Sequence, residues 1–141
     1  MQSLNRIKPI LGTYVSIDIT ADTSRSEIIK ASEAGYEEIS RIHDLMSFQE
    51  PNSEITKINL DASKAPVEIS EDTHKVIDTA LNISRATNGI FDISCGGTMV
   101  EQKKLPDHGF SFDDRGDWND IILEPGKIFF RKPLLVDVSG L

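Results

Sequence analysis

The chain has 141 residues, of which 38% are hydrophobic and 27% charged, and a formal net charge of −8. That balance describes a folded globular chain long enough for one domain with its own core, not a disordered one. The acidity argues against a surface that neutralises nucleic-acid phosphates, while still allowing a small anion held by backbone N–H groups or a bound cation. The single cysteine, Cys95, rules out an intrachain disulfide and a cysteine zinc cluster, and reads as a small buried or half-buried residue rather than a reactive thiol. No apolar run approaches the ~20 residues of a membrane span. Residues 1–8 have no apolar stretch behind them of the signal-peptide kind, so the chain reads as cytoplasmic as written, as would one trimmed of an export signal.

In chain order, Val15, Ile17 and Ile19 alternate with polar neighbours and predict a half-buried strand over about residues 13–20, entered through Gly12. Ser24 and Glu27 have capping-box spacing. The apolar stripe from Ile28 through Tyr36 to Met46 predicts a long amphipathic helix over about 24–46, weakened by Gly35. Pro51-Asn52 makes a turn, after which Ser53 caps a short helix carrying Ile55 and Ile58. Residues 66–69 read as extended. Ser70 opens a second long helix that Asn88-Gly89 ends. From Cys95-Gly96-Gly97 to about Asn119 the chain is polar and irregular, with a surface loop through His108, Asp113, Asp114 and Arg115. A hairpin is predicted from 121–123 and 128–131 around Glu124-Pro125-Gly126-Lys127. A last strand runs over 134–138. This order predicts an α+β fold, a mixed or antiparallel sheet with two long helices packed on it.

Four segments carry a resemblance that covers nearly the whole chain. They are Ile10-Leu11-Gly12-Thr13; residues 46–55 with Ile58-Asn59, containing Ser-Phe and Ser-Glu-Ile; Thr87-Asn88-Gly89-Ile90-Phe91-Asp92; and Val136-Asp137-Val138-Ser139-Gly140-Leu141. Each is weak alone. In this order, with these helices between them, they resemble the ApbE family of FAD:protein FMN transferases, the last segment being similar to the start of the family's Asp-Leu-Gly-Gly-Ile-Ala-Lys-Gly. The resemblance implies an enzyme that moves FMN from FAD to a threonine or serine hydroxyl of a target protein, releasing AMP, with Mg2+ required. It also implies that residues 1–141 are the N-terminal part of a single ApbE-like domain whose C-terminal part is absent. Many members are exported lipoproteins. The partners are then FAD and the target protein, not nucleic acid, and an incomplete fold would expose an apolar face or edge that favours self-association. Two other readings stay open: a flavin-binding module without transfer, and a metal-dependent FAD hydrolase.

The resemblance also places site residues. Leu11 stands where the family has a methionine against the nucleotide; otherwise it is a strand-entry core residue. Gln49 falls at a variable flavin-contacting position; otherwise it is a solvated turn residue. Ile90, Phe91 and Asp92 match a flavin-contacting triplet; otherwise they are a helix stop with a buried phenylalanine, Asp92 capping Ser94. Asp137 matches an aspartate that contacts FAD. Gly140 matches a backbone carbonyl offered to the metal, while the family's remaining metal ligands and its lysine lie beyond this chain. Metal binding by residues 1–141 alone is therefore expected to be very weak, with no turnover. His43, His74 and His108 show no ligand spacing and read as solvated surface.

Overall fold

The computed structural model describes residues 1–113 and 116–141, so Asp114 and Arg115 of the predicted surface loop lie outside the described residues. The chain divides into two compact units, residues 1–44 and 45–141. The antiparallel strands of the α+β fold fall into two sheets rather than one, a two-stranded pair and a three-stranded sheet of order β3-β5-β4.

The first unit is a hairpin with a helix against it. Strands β1 (Gln2–Ile10) and β2 (Thr13–Ala21) pair antiparallel from Gln2↔Ala21 to Ile10↔Thr13. The sequence hid β1. Its inward positions alternate Leu4, Arg6, Lys8 and Ile10, so two cations interrupt the apolar row, and Pro9 masks strand character. The cations are accommodated by helix α1 (Arg25–Met46). Lys8 Nζ sits 4.4 Å from the Tyr36 ring centroid, and Arg6 Nη1 donates to Ser32 Oγ at 2.8 Å. The Tyr36 hydroxyl lies 2.6 Å from the Arg6 carbonyl and 3.0 Å from that of Val15, tying the helix to both strands. Gly35 allows this approach, because a Cβ there would stand 3.0 Å from Ile17 Cδ1. The predicted capping box forms: Ser24 Oγ accepts from Glu27 N–H at 3.3 Å, and the Glu27 carboxylate accepts from Ser24 N–H at 3.1 Å. The bonds from Thr23 and Ser24 hold the Glu27 carboxyl below its usual pKa.

In the second unit, α2 (Glu54–Asp61) and α3 (Glu71–Ala86) carry the predicted caps. Ser53 Oγ accepts from Thr56 N–H at 3.1 Å, and Ser70 Oγ accepts from Thr73 N–H at 3.3 Å. The Glu54 carboxylate takes both the Ser70 N–H at 3.0 Å and the Ser70 hydroxyl at 2.8 Å, which joins the two helix starts. Ser-Glu-Ile at 53–55 is thus a structural device: a cap, a tie to the next helix, and a wholly buried isoleucine. Strand β3 (Val67–Glu68) pairs with β5 (Lys127–Phe130), and β5 pairs with β4 (Ile121–Glu124) through the two-residue turn Pro125-Gly126. Ile55, Ile58, Ile77, Ile128, Phe130 and Leu135 are buried almost completely, each contributing roughly 1.5–3 kcal/mol by transfer from water.

Three expectations change here. Residues 96–119 are not all irregular, since α4 (Gly96–Glu101) forms directly after Cys95 and a 3-10 turn spans Trp118–Asp120. The strand predicted over 134–138 is buried as expected but, among the described residues, joins no ladder; there only Leu135 forms a bridge, parallel to Cys95. His108 is not solvated surface. Its Nε2 lies 2.9 Å from the Phe48 carbonyl, and its ring stands edge-on to Phe110 at 5.5 Å between centroids. Among the described residues, no helix is long and apolar enough to cross a membrane.

Candidate functional site

The site is built where α3 stops. Asn88 and Gly89 both take positive φ, 52° and 79°, and Gly89 N–H reaches back to the Ser84 carbonyl at 2.8 Å in a Schellman-type closure. Only glycine fits at 89, because a Cβ there would also stand 2.9 Å from Trp118 Nε1. The chain then turns outward. Ile90 is 91% exposed, and Phe91 N–H donates to Thr87 Oγ1 at 3.1 Å. Asp92 Oδ1 accepts from Ser94 N–H at 2.8 Å, the capping contact anticipated from sequence, and Oδ2 lies 3.4 Å from Trp118 N.

The segment 134–138 runs beside this turn. Asp137 N–H donates to the Ile93 carbonyl at 2.8 Å, and Gly96 N–H donates to the Leu135 carbonyl at 3.0 Å. The other edge of the segment is met by a side chain. Asn59 of α2 donates through Nδ2 to the Val136 carbonyl at 2.9 Å and accepts the Val136 N–H on Oδ1 at 2.8 Å. The Asp137 carboxylate folds onto Ser139, accepting from its N–H at 3.1 Å and its hydroxyl at 2.7 Å. Gly140 comes beside Phe91, whose Cε2 would be 3.9 Å from a Cβ at that position. Two motifs more than forty residues apart in sequence thus meet: Phe91 with Gly140, and Ile93 with Asp137.

Cys95 stands at the start of α4, bridged to Leu135. The residue is exposed overall, where the sequence suggested a buried or half-buried one. Partial burial around the sulfur nonetheless pushes the thiol up, and the Asp137 and Asp92 carboxylates add to that by disfavouring a thiolate. Each carboxylate oxygen still has lone pairs to offer an external donor. A patch with two carboxylates, an aromatic ring and exposed backbone suits hydroxyl and N–H donors of a ligand better than its phosphates.

The other predicted residues lie elsewhere. Leu11 belongs to the first unit, not at a strand entry but in the two-residue turn between β1 and β2, with φ 60° and 46% exposure. A leucine in the left-handed region is uncommon and strained. Gln49 is exposed on the turn after α1, where its N–H donates to Ser47 Oγ at 3.2 Å. Its neighbour Phe48 packs edge-on to Phe110 at 5.4 Å. Sequence reasoning quoted Asn59 and Ser139 within motifs but gave them no role, and missed Trp118. An asparagine on the apolar side of a short helix is the signal that could have pointed to a buried clamp.

Solved structures share this α+β architecture. The ApbE protein of Thermotoga maritima aligns with TM-score 0.83 at 22% identity over 99% of this chain and 48% of its own. The flavin transferase ApbE of Vibrio cholerae aligns with TM-score 0.76 at 18% identity over 98% of this chain and 48% of its own. The flavinyl transferase ApbE of Pseudomonas stutzeri, in its apo form, gives TM-score 0.74 at 10% identity over 98% of this chain and 47% of its own. The chain therefore spans about half the length of the structures it matches. No protein with a curated description matches it. Residues 11–121 match the ApbE family, and the chain belongs to that family.

Proposed function

We propose that the protein carrying this chain is a FAD:protein FMN transferase, and that residues 45–141 supply part of its flavin site. The carrying observation is the meeting of residues 90–92 with 137–140, through Asp137 N–H on the Ile93 carbonyl at 2.8 Å and Phe91 against Gly140. Family membership and the fold of the flavin transferases from Vibrio cholerae and Pseudomonas stutzeri support the same reading.

In this reading FAD is a substrate. A threonine or serine hydroxyl of the target attacks the FMN phosphorus. The new phosphoester bond forms as the bond to AMP breaks, AMP leaves, and the hydroxyl proton passes to solvent or a base. Asp92 and Asp137 accept hydrogen bonds from ligand hydroxyl or N–H groups, and Phe91 offers an apolar face to a ring. Gln49 adds a contact from the turn after α1. Positioning of this kind is what phosphoryl-type transfer asks of a protein.

Magnesium does not fit the residues described here by themselves. Among them, no group of three or more His, Cys, Asp or Glu side chains could hold a metal ion. The Gly140 carbonyl would be one oxygen of the roughly six that such a cation takes. Residues 1–141 alone are proposed not to turn over.

The test uses the full-length gene product with FAD, magnesium and a candidate target protein. Mass spectrometry should show the mass of FMN added to a threonine or serine, with one AMP released per adduct. FAD bound without an adduct would instead indicate a binding module. AMP and free FMN without an adduct would indicate a hydrolase.

A further inference from the structure

We infer that Asn59 is a positioning residue for the flavin site, setting the place of Asp137 by acting as a one-residue strand partner for Val136. This rests on the flavin reading above and goes beyond it, because Asn59 itself is buried, at 3% exposure.

The segment 134–138 has strand-like burial but, among the described residues, no strand on either side. On one edge it is met by the loop 93–96, through Asp137 N–H to the Ile93 carbonyl at 2.8 Å and Gly96 N–H to the Leu135 carbonyl at 3.0 Å. On the other edge the Val136 N–H and C=O would stay unpaired in the core, an arrangement that folded proteins avoid. A primary amide carries one donor side and one acceptor side, like a peptide group, and Asn59 meets both at 2.9 and 2.8 Å. The residue is held in turn by α2, whose Ile55 and Ile58 are wholly buried. The Val136 backbone is therefore fixed to a rigid helix, and the next residue along is Asp137. Its orientation is set from two sides, by Asn59 through Val136 and by Ile93.

The chemistry allows a near-isosteric test. Asn59→Asp keeps the acceptor for Val136 N–H but loses the donor, so a carboxylate oxygen faces the Val136 carbonyl. Asn59→Ser is the milder variant should the first fail to fold. FAD dissociation constants are measured in the full-length protein by flavin fluorescence, below the unfolding temperature of every variant. Asn59→Asp or Asn59→Ser should weaken FAD binding about tenfold, the size expected when one buried hydrogen bond that orders a binding group is lost. Asp137→Ala should weaken it comparably. The double variant should be no worse than about twofold beyond Asp137→Ala, because both changes remove one contact. Ser70→Ala serves as the control for general destabilisation, since its side chain bonds Glu54 and the start of α3 rather than segment 134–138.

FAD binding unchanged in a folded Asn59 variant would overturn the role, as would losses that multiply in the double variant. An equal loss in Ser70→Ala would also overturn it. If the unmodified protein binds no FAD, the flavin reading itself falls and takes this one with it. Binding by the unmodified protein with unaffected Asn59 variants removes only the positioning role.

Discussion

Gly96 opens α4 at the point where the chain presses on segment 134–138, and an alanine there tests how tightly the two are joined. A Cβ would lie 2.7 Å from the Leu135 carbonyl oxygen, 2.9 Å from Leu135 Cβ and 3.0 Å from its carbonyl carbon. Two of these atoms are backbone, and Leu135 is fully buried, so no flexible side chain can swing away. The closest contact must open by roughly 0.7 Å to reach ordinary van der Waals separation. Overpacking of this kind costs about 1–3 kcal/mol. Stretching the Gly96 N–H bond to Leu135 forfeits about 1 kcal/mol more. The greater stiffness of alanine in the unfolded chain returns roughly 0.4–1 kcal/mol. The net is about 2 kcal/mol of destabilisation. Urea unfolding followed by circular dichroism should show the midpoint falling by about 1 M with an unchanged slope. FAD binding should weaken as well, because Leu135 leads into Asp137. A Gly96→Ala protein within about 0.5 kcal/mol of the original would refute the close packing of α4 on this segment.

Leu11 holds a strained left-handed conformation, so Leu11→Asn should stabilise the hairpin by about 0.5–1 kcal/mol. Thermal denaturation should show that gain, and an unchanged or lower midpoint would refute strain at Leu11. Cys95 should be alkylated by iodoacetamide more slowly at pH 8 than a free cysteine, since burial and the Asp137 and Asp92 charges keep the thiol protonated. The midpoint of the alkylation rate against pH should drop in Asp137→Asn; no change would mean that Asp137 does not face the sulfur. Ser84 is buried on α3 with no hydrogen-bond partner for its hydroxyl among the described residues. Ser84→Ala should therefore be neutral or stabilising by up to about 1 kcal/mol, and thermal denaturation showing a loss above that would point to a bound water.

Local signals carried much of this structure. Ser24, Ser53 and Ser70 stand at helix starts because a short side-chain oxygen can take an orphan N–H there, and that need depends only on neighbouring residues. The same holds for the stop at Asn88-Gly89 and the turn at Pro125-Gly126, where backbone conformation is set by residue type. The family was legible for a related reason: its segments are short, and each carries its own local geometry. Tertiary contacts decided the rest. Strand β1 could be read only with Tyr36 in place, since Lys8 and Arg6 look inward on a helix that accepts cations. The stretch 134–138 has the composition of a strand, yet its partners are a loop and the Asn59 amide. No period along the chain could reveal a hydrogen bond between residues 77 positions apart. The site followed the same division: the sequence by itself marked Phe91, Asp92, Asp137 and Gly140 as separate candidates. Only folding, by pairing buried backbone groups that water could no longer serve, brought them to one place.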